Sequence, residues 1–409
     1  MDGLQALRFE LASEPLAGRI LLRDPEALEG PSCSRLAEII DEALRWSVLQ
    51  TPGQAGAYLP KHRSDRHAIG VDINPVAVAL TKGKSAVFNT EVFRAHAQEA
   101  VRAASHLRKA QCPYPEWLDY WFTGATLQKL LALRMAIDRI GGRAGTAQLD
   151  ALRAALIVCV RKCSRADPRS PKPFISKRAR EKRLGKPFDS FHVFQDVTAK
   201  FADSTDALLE KRTIPVRSVT LLADARTLKR SSFLREVDAV VTSPPYLSAQ
   251  DYYRSSKLEL AVVGMWKPQL HSILGELIIG SGRGNLGSNG QMPMRLKTGI
   301  RPVRELEAKN PHAAGVVRKY LSDMQAVLGS VFRIVKDNGR CCFIVGDCTM
   351  GGVQLPVHKW FKEMATDEGF RLFRHEVDTI RDRRLPPKRE SHTSVIRKEH
   401  LLFFQKPHC

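Results

Sequence analysis

The sequence reads as an α/β protein, an open sheet with a helical insertion, and three observations lead there. Short apolar runs at Ala68–Val71, Val216–Leu222 and Ala239–Val241 each end on a polar residue, as buried strands do at the edge of a sheet. Between the first two, from roughly residue 85 to 165, apolar residues recur at the spacing of about 3.6 that marks helices. After the third, Cys341–Val345 and two closing runs, Arg371–Ile380 and Glu399–Gln405, supply further strands.

Composition sets the scale. With 409 residues, 43% of them hydrophobic, the chain has material for a large core in one elaborated domain or two. Lys and Arg number 64 against 43 Asp and Glu, a formal charge of +21. Such a surface attracts polyanions, nucleic acid foremost. A membrane surface would also attract that charge, but there is no apolar run of about 18 residues and no leader pattern at the N-terminus. The expectation is a soluble, cytoplasmic protein. The eight cysteines form neither a CxxC pair nor zinc-type spacing with histidines, and read as reduced core thiols.

Taken in order, residues 1–45 offer one amphipathic helix, through Leu36, Ile39, Ile40, Ala43 and Leu44. Trp46–Leu49 is a candidate short strand leading into Thr51–Gly56. Ala68–Val71 then reads as a buried strand ending at Asp72, with Asn74 capping a helix whose first position is Pro75. An acid at the end of a second strand, about 20 residues past a glycine loop, is suited to hold ribose hydroxyls. Asp72 is therefore the candidate ribose ligand.

The helical stretch carries Trp117, Leu118, Trp121 and Phe122, then Leu127, Leu130, Leu131, Met135 and Ile137, and stops at Gly141-Gly142. A second helix opens at Thr146 and runs through Leu149, Leu152, Leu156, Cys159 and Val160; both stripes read as core. Residues 161–187 are dense in Arg and Lys and broken by prolines, and are expected to be mobile and unpacked. Lys172, Lys177, Arg178, Arg180, Lys182 and Arg183 in that segment are the candidate phosphate contacts. The alternative is a solvated linker.

Val216–Leu222 is a strand ending in Ala223-Asp224-Ala225-Arg226, with a short polar helix expected from Arg226 to Arg235. Asp224, at a strand end, is placed to accept from an adenine amine. Residues 280–304 read as a basic, Gly-rich loop, followed by a helix through Tyr320, Met324, Val327, Leu328 and Phe332. The strand Cys341–Val345, a helix from about Val357 to Glu368, and a β-hairpin around a basic loop from Arg381 to Lys398 complete the chain. The organisation expected is an N-terminal half over 1–84, the helical insertion over 85–215, and a second half over 216–409.

The stretch with the most chemistry is Asp238-Ala239-Val240-Val241-Thr242-Ser243-Pro244-Pro245-Tyr246. Proline lacks the N–H that a ladder needs, so Pro244-Pro245 stops the strand and stiffens the loop beyond it. Ser243 and the neighbouring carbonyls then become fixed acceptors at a strand's C-terminal edge, with the Tyr246 ring beside them. Acceptors aimed at an exocyclic NH2 group make its nitrogen a better nucleophile, and an aromatic face stacks on a base taken out of the helix. The alternative is a plain Pro-Pro turn.

Thr242-Ser243-Pro244-Pro245-Tyr246 resembles the catalytic loop of the bacterial amino-methylating DNA methyltransferases, in the form typical of the N4-cytosine enzymes. Gly70-Val71-Asp72-Ile73-Asn74-Pro75 resembles their acidic cofactor motif and Ala223-Asp224-Ala225-Arg226 their adenine-side strand end. Val345-Gly346-Asp347, Lys398-Glu399-His400 and Phe403-Phe404 are similar to their closing strands. The likeness runs from about residue 66 to the end. It implies a Rossmann-like sheet that uses S-adenosylmethionine, with Asp72, Ile73, Asn74, Asp224, Ala225, Thr242, Gly53 and Gly56 about the cofactor. It also implies Ser243, Pro244, Pro245 and Tyr246 about a flipped base in double-stranded DNA. No metal and no strong general base are needed. The N-terminal part departs from the family pattern: in Leu49–Gly56 the glycines Gly53 and Gly56 stand, the expected acid is missing, and Pro60 interrupts the helix that should come next.

The reading is thus methylation of cytosine N4 in DNA, in a restriction-modification setting with a possible partner nuclease. The alternatives are an N6-adenine or RNA-base methyltransferase, or a DNA-binding homologue that has lost catalysis.

Overall fold

A computed structural model describes residues 21–22, 68–107, 110, 112–168, 172–183, 187–210, 218–229, 237–247, 252–270, 273, 277–280, 292–293, 295–379, 396 and 398–408. The helix expected in residues 1–45, the strand Trp46–Leu49, the Gly53 and Gly56 loop, Ser248 to Asp251 and nearly all of the closing basic loop lie outside these residues. The chain divides into two compact units. One comprises Met1–Ile73, Leu221–Asp251 and Ser272–Cys409; the other comprises Asn74–Thr220 and Tyr252–His271.

In chain order the strands are β1 (Leu21–Leu22), β2 (Ala68–Asp72), β3 (Ser218–Leu222), β4 (Val237–Thr242), β5 (Val335–Gly346), β6 (Cys348–Met350), β7 (Val353–Leu355), β8 (Arg371–Thr379) and β9 (Lys398–Gln405). The helices are α1 (Pro75–Ser85), α2 (Thr90–Ser105), α3 (Gly124–Ile140), α4 (Thr146–Cys163), α5 (Lys177–Arg183), α6 (Ser190–Leu209), α7 (Tyr252–Val262), α8 (Lys297–Lys309), α9 (Pro311–Ile334) and α10 (Val357–Asp367).

The first unit is built on a mixed sheet of order β1-β4-β5-β9-β8. β4 runs parallel to β1 and β5, with Val240 opposite Cys341 and Thr242 opposite Phe343. β9 is antiparallel to β5 and β8, which makes the closing hairpin expected from the sequence. The central position of β5 explains its composition: Cys341 to Gly346 are all buried, as a strand covered on both faces requires. β2 and β3 form a separate two-stranded ladder. Tyr320, Met324 and Leu328 of α9, with Trp360, Phe361 and Met364 of α10, pack on Phe343 of β5, Phe404 of β9 and Ile69 and Val71 of β2.

Local chemistry sets most boundaries. Asn310 accepts from Ala313 N at 3.0 Å and Pro311 occupies the first turn, so α9 starts where its backbone donors are satisfied. β6 and β7 were not foreseen. Their turn is Gly351-Gly352, with φ of +53° and +75°, the two positive angles a tight two-residue hairpin demands.

Two expectations are corrected here. Part of the region read as a Gly-rich loop, 280–304, is helical, because Gly299, Val303 and Leu306 give α8 a buried stripe at helical spacing. The basic segment after Cys163 is packed where it is described. Asp167 N donates to Phe174 O at 2.8 Å, Ser176 Oγ donates to Asp167 Oδ2 at 2.5 Å, and Pro173 and Ala179 are buried. Its small and apolar residues and the buried Asp167 anchor one side, while Lys177, Arg178, Arg180 and Lys182 stay exposed.

The second unit is helical. Phe93 of α2, Leu127, Leu130 and Leu131 of α3, Leu152 and Leu156 of α4, and Phe194 of α6 share its core. The Trp117–Phe122 stripe is a 3₁₀ turn over Glu116–Tyr120, and Thr123 then caps α3 through Thr126 N. α1 agrees with the sequence reading, with Asn74 accepting from Val76 N at 3.0 Å and Pro75 leading. Gly83 sits where α1 meets α4; a Cβ there would stand 2.3 Å from Ala154 Cβ and 2.5 Å from Asp150 O. Among the described residues no helix is long and apolar enough to cross a membrane.

Candidate active site

The loop Ser243–Tyr246 leaves the C-terminal end of β4, inside the first unit. Thr242 is 4% exposed and paired on both sides, to Leu22 and to Phe343, so it serves the sheet. Ser243 and Pro245 are half-buried and Pro244 is buried. Tyr246 reaches across the end of β5: its hydroxyl donates to Glu399 Oε1 on β9 at 2.5 Å. Gly346 lies beside the ring and makes room for Ile396: a Cβ there would be 2.8 Å from Ile396 Cγ2, and at 3.5 Å from Tyr246 Cε1 it would be in ordinary contact with the ring. Gly280, at φ +76°, closes the other side; its Cβ would stand 3.3 Å from Tyr246 O. The ring is therefore fixed by partners far along the chain.

The ends of β2 and β3 lie together, because Ala223 N donates to Asp72 O at 3.1 Å. This places Asp72 and Asp224 at one edge. Asp72 is half-buried. Asp224 is held by its neighbour: its carboxylate accepts from Arg226 N at 2.9 Å, from Arg226 Nε at 3.0 Å to each oxygen, and from Arg226 Nη2 at 2.6 Å. Those four bonds fill the acceptor positions of a carboxylate. Arg226 also donates to Asp323 on α9 at 2.8 Å and to Leu277 O at 3.1 Å. Burial alone would lower the guanidinium pKa, but the bonds and charges of Asp224 and Asp323 outweigh it and raise it. Residues 277–280 thus touch both Arg226 and the Tyr246 backbone, linking the β3 end to the β4 loop.

Ile73 and Ala225 are half-buried beside these acids. The Asn74 side chain is engaged in capping α1 and in donating to Ser256 Oγ at 3.1 Å. Lys177, Arg178, Arg180 and Lys182 are exposed on α5, Lys172 is half-buried, and Arg183 closes that helix. Ser176 starts α5 by accepting from Ala179 N at 3.0 Å, so the basic side chains are carried on a capped turn of helix.

A group to which the sequence reading gave no role, although Asp347 and His400 stood in its closing-strand motifs, lies at the far end of β5. Asp347 Oδ1 accepts from His358 N at 3.1 Å, starting α10, and His358 Nδ1 lies 2.8 and 2.7 Å from the two carboxylate oxygens. His400 stacks on His358 with ring centroids 4.0 Å apart and planes 4° from parallel. His375 Nε2 is 3.0 Å from His400 Nδ1, and Lys362 Nζ is 2.9 Å from His375 Nδ1. Lys362 can only donate. His375 therefore carries its proton on Nε2 and donates to His400, whose own proton is left on Nε2, facing Asp347. Burial, with the nearby His358, lowers the His400 pKa to about 4. Burial and Lys362 lower that of His375. For Asp347, burial would raise the pKa, and the bonds from His358 outweigh it and lower it.

Comparison with known proteins bears on the same chain. No family model matches it. It is 28% identical over 150 residues to the Type II methyltransferase M.AvaI of Nostoc sp. (strain PCC 7120 / SAG 25.82 / UTEX 2576), and equally to that of Anabaena variabilis. The match covers 33% of this chain and 31% of each relative, so the chain spans about a third of the length of the curated relatives it matches. A solved structure, TTHA0409 of Thermus thermophilus, provisionally assigned as a DNA modification methylase, is 18% identical with a TM-score of 0.23, over 46% of this chain and 53% of that one. About a third of the chain is thus distantly homologous to a Type II DNA methyltransferase.

Proposed function

We propose that the chain is an S-adenosylmethionine-dependent methyltransferase with a Rossmann-like sheet, acting on the N4 amine of cytosine in double-stranded DNA. The observation that carries this reading is the Ser243–Tyr246 loop, held at the C-terminal end of a parallel strand, with the Asp72 and Asp224 strand ends linked to it through residues 277–280. The homology to a Type II methyltransferase supports it. The residues present suit the cofactor. Two adjacent strand ends carry carboxylates, and Asp72, half-buried at the end of β2, is of the residue type and position that hold ribose hydroxyls. Asp224, filled by Arg226, contributes by fixing its strand end together with Ala225, and Ile73 lies on the cofactor side; Gly53 and Gly56, assigned to the cofactor by the sequence resemblance, lie outside the described residues.

S-adenosylmethionine, when bound, supplies an electrophilic methyl group. The Ser243 hydroxyl and the Pro244 carbonyl accept from the cytosine amine and raise the nucleophilicity of its nitrogen. Pro245, with no N–H, keeps the loop free of a competing donor. Tyr246, fixed by Glu399, stacks on the flipped base. The amine loses its proton after methylation has made it a cation, so no strong base is assigned. The basic helix α5 contacts phosphates. A restriction nuclease partner and a cytoplasmic location belong to the same reading.

Transfer of labelled methyl from S-adenosylmethionine to DNA tests it. Incorporation is expected for the wild type and its loss for Ser243→Ala and Pro244→Ala. Calorimetry that finds no cofactor binding at millimolar concentration would instead mark a DNA-binding protein without catalysis.

A further inference from the structure

The Asp347, His358 and His400 group is not used by the reaction above, and its composition has a chemistry of its own. Its members come from three elements: Asp347 comes directly after β5, His358 opens α10 and His400 lies on β9. Asp347 Oδ2, His358 Nδ1 and His400 Nε2 offer one ligand atom each, and these atoms lie within 4.8 Å of one another. Asp347 Oδ2 is 2.7 Å from His358 Nδ1 and 3.7 Å from His400 Nε2. Three atoms each about 2.1 Å from a single ion stand roughly 3.0–3.5 Å apart. The two spacings from Asp347 lie on either side of that range, and side-chain rotations bring the two imidazole nitrogens into it.

We propose that Asp347, His358 and His400 form a binding site for a divalent transition metal ion of the zinc class, held by two imidazoles and one carboxylate. Imidazole nitrogen with carboxylate oxygen suits such ions, whereas magnesium and calcium take oxygen sets. A nitrogen of each ring faces the same carboxylate, and because the rings stand parallel with centroids 4.0 Å apart they tilt toward each other to share one ion. The Asp347 side chain is 35% exposed against 15% for His358 and 10% for His400, so the carboxylate is the side of entry. Binding displaces the protons on His358 Nδ1 and His400 Nε2. Each ring then keeps its proton on its other nitrogen, and His400 Nδ1–H donates to His375 Nε2, the kind of outer-shell bond that orients a ligating histidine. His375 correspondingly shifts its proton to Nδ1, and the flexible Lys362 swings away from it. Asp347 offsets one of the ion's two charges, and solvent ligands complete its coordination. The ion ties the end of β5 to α10 and β9, and this site stands independently of the methyl-transfer reading.

The test uses tag-free, chelator-stripped full-length protein titrated with cobalt(II) and zinc(II). Expected are saturation at one ion per chain, a cobalt visible spectrum without thiolate charge-transfer bands, and a rise in melting temperature on zinc addition. His358→Gln and Asp347→Asn should each weaken binding by about tenfold or more, while melting as cooperatively as the metal-free wild type. Pulsed EPR of the copper(II)-loaded wild type, which needs no variant, should detect two imidazole nitrogens. Absence of binding at micromolar to submillimolar metal, thiolate ligation, fewer than two imidazoles, or unchanged affinity in both variants would overturn the proposal.

Discussion

Tyr246 is worth most at the scale of single residues, because its two ends do different things. In the proposed reaction the ring face stacks on the base, while the hydroxyl is fixed to Glu399. Base stacking on an aromatic residue contributes about 1–3 kcal/mol. Tyr246→Ala should therefore lower kcat/KM by roughly tenfold to hundredfold, with cofactor affinity nearly unchanged, and Tyr246→Phe should lose much less; steady-state kinetics beside calorimetry decide this. Arg226 is a positioning residue of another kind. Its side chain is 15% exposed and joins Asp224 to Asp323, and removing one member of such a buried set costs about 3 kcal/mol. Arg226→Ala should shift the urea midpoint accordingly. Asp224 was legible in the sequence as an acid at a strand end, and Arg226 stood two residues on, but their mutual saturation was not, since it depends on a turn of 3₁₀ helix folding the guanidinium back. Glu399 was quoted within a motif without a role, because 153 residues separate it from Tyr246 and only the antiparallel return of β9 brings it near.

At the scale of elements, caps and stripes decide what forms. Asp189 starts α6 by accepting from Phe191 N at 3.2 Å, and it pairs with Lys129 at 3.0 Å. Asp189→Ala should cost about 1 kcal/mol, read from thermal or chemical unfolding. The Lys129 bond lowers the Asp189 pKa from 3.8. That contribution is present in full above pH 3.8 and fades as pH falls through the lower folded value, so wild type and variant should converge in acid. Elements with a sharp local signal were legible: Asn74-Pro75 for α1, Pro244-Pro245 for the end of β4, and the apolar run of β5. Elements whose signal is diluted were not. α8 carries Pro302 and many charges around a stripe of only Gly299, Val303 and Leu306. The segment through Lys177–Arg183 hides its anchors, Asp167, Ser176 and Ala179, among basic residues that dominate composition. The histidine cluster escaped because its members are spread over α10, β8 and β9, with Asp347 just past β5, a spacing no linear motif encodes.

At the scale of the whole molecule, charge and chemistry point to the same partner. With a formal charge of +21, the proposed DNA binding should be salt-dependent, with about 0.9 added to the slope for each phosphate neutralised. Replacing Lys177, Arg178, Arg180 and Lys182 together by Gln should flatten that slope by as much as ~3.6; filter binding across a salt series would expose an unchanged slope. The sheet and its C-terminal-edge loop could be anticipated because strand runs and prolines act locally. The division into two units, each gathered from separated stretches of chain, could not, because it depends on where α7 returns to pack. The central claim concerns which atom receives the methyl group, and mass analysis of nucleosides from DNA methylated by the purified protein addresses it directly. The expected product is N4-methyldeoxycytidine, absent with Ser243→Ala. N6-methyldeoxyadenosine, or unmodified DNA despite bound cofactor, would contradict the account.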